Sequence, residues 1–172
     1  PRMIGRFWIM IAHHHGQVWN ASQVAASLGI APNTASSYLD ALEQTFMLRR
    51  LQPWFTNLGK RVVKSPKIYL RDSGIFHALL RVGSLPDLRV HPKLGASWEV
   101  MALEHVLRVL RTEPGEAFSW ATHGGAELDL LLVRGERRWG FEVKYADAPR
   151  TTKSMRVALD DLRLERLFVV YP

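Results

Sequence analysis

Along the first 50 residues, apolar positions recur three and four apart, the spacing that gathers side chains on one face of a helix. Met3, Ile4, Phe7, Trp8 and Ile11 form one such stripe, which Gly16 can end. Val24, Ala25 and Leu28 form a second, closed by Gly29 as a left-handed cap. Pro32 suits the first turn of a third helix, whose inward stripe reads Ala35, Leu39, Leu42 and Phe46. The consecutive His13, His14 and His15 fan around a helix and cannot all hold one ion, so a frayed polar helix end is expected there. From Met47 the period drops to two. MLRRLQPW and KIYLRD alternate apolar and polar residues as strands do, and the basic run KRVVKSPK leads into the second of them.

The patterning continues through the second half. Asp72 is placed to cap a short helix, SGIFHALLR, and VGSLPDLRVHPKLG, strung with Gly and Pro, is expected to be an irregular linker. SWEVMALEHVLRVLR reads as a helix capped by Ser97, with Glu99 at the N-terminal end of its buried face. AFSWAT, ELDLLLV and RRWGFEVK suit three strands, the last two joined in a hairpin through RGER. A helix around TTKSMRVALDDLR and a strand RLFVVY follow, and a strand reached through a helix returns to the sheet by a crossover. The expected fold is α/β, with an N-terminal unit over residues 1–72, a connecting helix and linker over 73–94, and an αβββαβ domain over 95–172.

Composition narrows the classes of function. With 172 residues, 47% of them hydrophobic, the chain can bury one substantial core or two small ones, so it is no disordered tail. The absence of cysteine removes disulfides, thiolate nucleophiles and cysteine-ligated zinc, and fits a reducing compartment. No apolar run approaches the roughly 20 residues a membrane helix needs, so a cytoplasmic protein away from membranes is expected. The chain opens at Pro1 directly into an amphipathic pattern, as part of a longer protein would. The net charge of +7 is unevenly placed: residues 1–72 hold nine Lys and Arg against three Asp and Glu, while residues 73–172 hold fourteen against thirteen. A positive surface in the first half would attract phosphate backbones whatever their sequence.

Three short helices with a tight Leu28-Gly29-Ile30 turn between the second and third, followed by two strands, resemble a winged helix-turn-helix. The resemblance implies a third helix in a DNA major groove with Asn33 and Thr34 at its start, and Lys60, Arg61, Lys64 and Lys67 of the wing on phosphates. The exposed face of that helix, Asn33, Thr34, Ser36, Ser37 and Asp40, carries no Arg or Lys to read guanine edges. Packing or protein contact is therefore an equally open use for it.

The chemistry-bearing residues lie further on. Strand alternation places Glu142 and Lys144 on one face, and Glu127 and Asp129 on one face of the preceding strand. Carboxylates on adjacent strands supply the hard oxygens that Mg²⁺ takes, together with water and phosphate oxygens. Asp129 and Glu142 would hold the cation, Lys144 would orient an attacking water or stabilise charge growing on phosphorus, and Glu99 could complete the site. Ordinary surface alternation, with Glu99 complementing a helix dipole, stands as the plain alternative.

Asp129 followed by Glu142-Val143-Lys144, in this order of elements, resembles the restriction-endonuclease-like PD-(D/E)XK superfamily, with Leu128 where the superfamily has Pro. More broadly, LGIAPNTASSYLDALEQTFMLRRLQPW, KSPKIYLRDSGIFHALL, GASWEVMALEHVL, GGAELDLLLV and FEVK resemble the C-terminal part of prokaryotic AAA+ type ATPases, where a winged helix precedes a domain called DUF4143. Relative to that family, Ala31 and Ser37 replace a capping Ser or Thr and a basic residue. The resemblance implies an ATP-binding module upstream in the full protein. None is expected here, because Gly59-Lys60 is not followed by Ser or Thr and Trp54 stands where a phosphate-binding loop needs its first glycine. Three functions follow as expectations: a module of the ATPase that binds nucleic acid or a protein partner, a metal-dependent endonuclease or phosphodiesterase, or a structural segment supporting homo-oligomerisation of the ATPase.

Overall fold

The computed structural model describes residues 2–55 and 62–172. Among them seven helices and seven strands form a mixed α/β fold. Two compact units interleave along the chain: Pro1–Arg50 with Lys67–Met101, and Leu51–Pro66 with Ala102–Pro172. Residues 51–66, which the pattern groups with the N-terminal half, thus belong with the C-terminal strands.

The first unit is built on α1 (Arg2–His13), α2 (Ala21–Leu28) and α3 (Pro32–Gln44). Their apolar stripes bury Phe7, Ile11, Val24, Leu28, Leu39 and Leu42 in one core, and Phe7 meets Trp19 and Tyr38 edge-on at 6.4 and 5.4 Å. The Asn20 side chain caps α2 by accepting from the Gln23 N–H, and Gly29 at φ 68° closes it. Pro32 starts α3 without a side-chain cap. Phe46 departs from the expected inward stripe. The helix ends at Gln44, and Phe46 lies in the turn beyond it at φ 59°, 74% exposed. Strand β1 (Gln17–Val18) pairs antiparallel with β3 (Lys67–Leu70), and β3 neighbours β2 (Leu48–Pro53).

Three further expectations are corrected in this unit. His15 is not part of a frayed end: it is 1% exposed, accepts from the Leu70 N–H through Nδ1 at 3.0 Å, and stacks on Phe76 at 4.2 Å. The turn at Gly16 (φ 74°) folds the chain back so that the histidine points inward. The linker contains a helix, α5 (Leu85–Val90), because Ser84 caps the Asp87 N–H and Pro86 in the first turn has no N–H to lose there. Ser97 is no cap: α6 (Leu94–Val109) starts before it, and its hydroxyl, 5% exposed, lies 2.7 Å from His77 Nε2. Asp72 does cap α4 (Ser73–Leu79), accepting from the Ile75 N–H at 2.8 Å.

In the second unit the strand order is β2, β4 (Ala117–Ala121), β5 (Glu127–Arg134), β6 (Arg137–Val143), β7 (Arg166–Val170). The end of β2 runs parallel to β4, with Gln52 opposite Phe118, and the Ser119 hydroxyl donates to the Leu51 carbonyl at 3.1 Å. β4, β5 and β6 are antiparallel, the last two joined through Gly135 at φ 58°. Helix α7 (Lys153–Leu162), capped by Thr152, then carries the chain over to β7, which lies parallel to β6 as a crossover requires. Trp120, Leu128, Leu131, Ala158 and Leu162 form the core between α7 and the strands.

Candidate functional site

The geometry of the site starts from an irregularity in β5. Phe118 of β4 faces Leu131, whereas Trp120 faces Leu128, so three steps along β5 match two along β4. One extra residue makes a bulge, a device that re-aims side chains. Leu128 and Leu131, an odd number of positions apart, consequently pack into the same core under α7. On the other side, β5 and β6 keep their register to Leu130 opposite Phe141. Continued by one residue, that register sets Asp129 against Glu142.

Both carboxylates are buried, Asp129 6% and Glu142 2% exposed. Asp129 Oδ2 accepts from the Val143 N–H at 2.9 Å, taking the place of a backbone acceptor where the pairing of β5 with β6 ends. Glu142 Oε1 is paired with Lys144 Nζ at 2.6 Å, and the Lys144 side chain is 39% exposed. Glu142 Oε2 is buried without a hydrogen-bond partner among the described residues. Burial pushes the Glu142 carboxyl above its ordinary pKa, the adjacent Asp129 charge pushes it further, Lys144 pulls it part of the way back, and Glu127 adds a smaller push upward. For Lys144 burial acts downward, but the hydrogen bond and charge of Glu142, with Asp129 and Glu127 behind it, outweigh that and leave its pKa raised. Asp129 and Lys144 therefore act on the Glu142 carboxyl in opposite directions.

Two buried carboxylates, one with an orphaned oxygen, fit a small hard cation that would complete its shell with water and phosphate oxygens. No group of three or more His, Asp or Glu side chains arranged to hold a metal occurs among the described residues. Glu127, exposed on the same strand, is tied through its backbone to Ser154: its N–H donates to the serine oxygen at 2.7 Å, and the hydroxyl donates back to its carbonyl at 3.1 Å.

The other residues singled out in the sequence are placed as follows. Glu99 belongs to the first unit, where its Oε1 accepts from the Tyr69 hydroxyl at 2.6 Å. That partnership gives it a structural occupation the sequence did not suggest. On α3, Asn33 is exposed and Thr34 half-buried. Lys64 is exposed, whereas Lys67 is 6% exposed on β3 and poorly disposed to meet a phosphate. Lys60 and Arg61 lie outside the described residues.

Residues 94–172 match the family model described as "Domain of unknown function (DUF4143)", and residues 1–85 match one described as "Domain of unknown function (DUF8612)". Uncharacterized proteins of Mycobacterium bovis and Mycobacterium tuberculosis are each 47% identical over 167 residues, 97% of this chain and 37% of theirs. The chain thus spans little more than a third of the length of these curated relatives. No solved structure matches. No helix among the described residues is long and apolar enough to cross a membrane.

Proposed function

We propose that the C-terminal unit carries a divalent-cation-dependent phosphodiester site of the restriction-endonuclease-like kind, acting on nucleic acid. The observation that carries this reading is the buried, unpartnered Oε2 of Glu142 beside the carboxylate of Asp129. A buried acceptor left open costs about 1–3 kcal/mol, and a cation shared with Asp129 would remove that penalty. A bound Mg²⁺ would supply Lewis-acid chemistry, lowering the pKa of a water and neutralising phosphate charge. Asp129 and Glu142 would hold it. Lys144, half-exposed and ion-paired with Glu142, has the reach to meet a phosphate oxygen or a nucleophilic water, and its raised pKa keeps it charged while it does so.

Titration calorimetry with Mn²⁺ and Mg²⁺ tests the site directly: one cation per chain is expected, lost in Glu142→Ala. Cleavage of DNA in several forms tests the chemistry, and equal residual cleavage in Glu142→Ala would overturn it.

A second reading has its own support. Lys144 already neutralises Glu142, and the Val143 N–H already occupies Asp129, as in a site that holds its fold without cutting. On this reading the chain is a nucleic-acid or partner binding module of an AAA+ type ATPase. The DUF4143 match suits it, because that domain is typical of AAA-ATPase-associated proteins. ATP would then act only in an upstream module. Such a module binds DNA in a salt-sensitive, Mg²⁺-independent way that weakens when Lys60, Arg61 and Lys64 are changed together.

A further inference from the structure

Helix α7 has two unlike sides. Met155, Ala158 and Leu162 are buried, while Lys153, Arg156, Asp160 and Arg163, spaced three and four apart, are exposed. Neither cation of the helix nor Arg163 at its end forms an ion pair among the described residues, even though Asp160 stands four residues after Arg156. In that order the pair is the weaker of the two arrangements. The stripe therefore keeps a net positive charge facing solvent. At its N-terminal end an open groove of about 430 Å³ lies between the Thr122–Ala126 turn and Lys153, Ser154 and Val157, with exposed His123 on its rim.

We propose that this groove and the outer face of α7 form a phosphate-backbone track for nucleic acid, with Lys153, Arg156 and Arg163 each on a separate phosphate. The identification of nucleic acid rests on the function proposed above. From Lys153 to Arg163 the helix rises about 15 Å, and a duplex strand carries a phosphate roughly every 3.4 Å of axis, so three separated cations match a polyanion better than a single phosphate. The groove has the size of small-ligand clefts, about 300–1,000 Å³, enough for one sugar-phosphate unit beside Lys153. A membrane surface fits poorly, since the apolar residues that would enter lipid are turned into the core. The track uses none of the residues proposed above to hold a cation.

The test compares the whole chain with a Lys153→Gln, Arg156→Gln, Arg163→Gln variant, using a labelled 20-base-pair duplex across a salt series and vesicles rich in anionic lipid. The wild type is expected to bind the duplex. The variant should bind about tenfold or more weakly near 0.1 M salt, with a log–log salt slope shallower by about 2.7, roughly 0.9 for each phosphate no longer neutralised. Because the three side chains are exposed, the variant should melt with the wild type, and Arg156→Gln alone, expected to make the slope shallower by about 0.9, serves if it does not. Unchanged affinity and slope, no binding of DNA by the wild type, or preference for vesicles over DNA would each overturn the track. Cation binding measured on the same proteins keeps the two proposals apart. Loss of DNA affinity with Mn²⁺ binding intact supports the track, and absent Mn²⁺ binding with the same loss of affinity removes the cation site while leaving the track standing.

Discussion

His15 makes the first unit sensitive to acid. Burial holds the His15 pKa at about 4 against 6.5 for the free side chain, with the nearby Ala96 backbone pulling partly upward and Lys93 and His77 pressing down. Between those values the unfolded chain binds a proton that the folded chain refuses. Stability is therefore full above about pH 6.5 and is lost as pH falls through 4, by roughly 3 kcal/mol in total. Urea denaturation at pH 7.5 and pH 4.5 should show most of that loss. His15→Phe is expected to flatten the dependence, leaving the share of His14 and His77, whose pKa values burial also lowers. It should cost about 1–3 kcal/mol at pH 7.5, because the Leu70 N–H loses its acceptor. Glu142 runs in the opposite sense. Its pKa is raised, so its contribution is full below the ordinary carboxylate range and declines as pH rises through the raised value, with Lys144 limiting the decline. Glu142→Gln is accordingly expected to leave stability at neutral pH equal or higher, while abolishing the Mn²⁺ heat seen in calorimetry.

Among the elements, β6 is tightly packed at Gly140. A Cβ there would stand 2.6 Å from Leu164 Cδ1 and 3.2 Å from Leu128 Cδ2. Gly140→Ala should therefore cost about 1–3 kcal/mol by overpacking, seen as a lowered melting temperature. Adding Leu164→Ala should cost less than the two changes summed, since the clashing methyl is gone. The elements themselves were largely legible in the sequence, because most rest on local pattern: three stripes for α1–α3 and three short apolar runs for β4–β6. What local spacing does not carry was missed. The inward turn of His15 depends on a contact with Leu70 55 positions away, and the extra residue in β5 is defined only by its partner β4. Helix α5 was hidden because Pro86 reads as a breaker until Ser84 is seen to cap the turn. For the site, the pattern placed Asp129, Glu142 and Lys144 on adjacent strands, and the burial of the two carboxylates needed the fold. Alternation alone also offered no hint that Glu99 is held by Tyr69.

At the scale of the whole molecule, the chain passes from one compact unit to the other, back, and over again, leaving residues 51–66 with strands that begin only at Ala117. The matched family region begins at residue 94 and so omits this segment. Within the C-terminal unit the omission removes the Gln52–Phe118 and Pro53–Ser119 strand pairing, the acceptor of the Ser119 hydroxyl at the Leu51 carbonyl, and the Trp54 ring packed edge-on to Phe118 at 4.7 Å. It also strips the Arg138 guanidinium of the indole it covers at 5.7 Å. The outer edge of β4 would be left with unpaired backbone groups and an uncovered aromatic side chain, a template for aggregation. A fragment of residues 94–172 is therefore expected to bind a hydrophobic dye, elute as aggregate and lack a cooperative near-ultraviolet melting transition, while the full chain keeps one. A monomeric 94–172 fragment that melted as sharply as the C-terminal signals of the whole chain would show that β4 needs no partner from the N-terminal half. The measurement also bears on function, because β5 and β6 hold Asp129 and Glu142 only as firmly as β4 supports β5. Loss of Mn²⁺ binding by the fragment, with its recovery when residues 51–66 are restored, would tie the candidate site to a strand that precedes it by more than 70 positions.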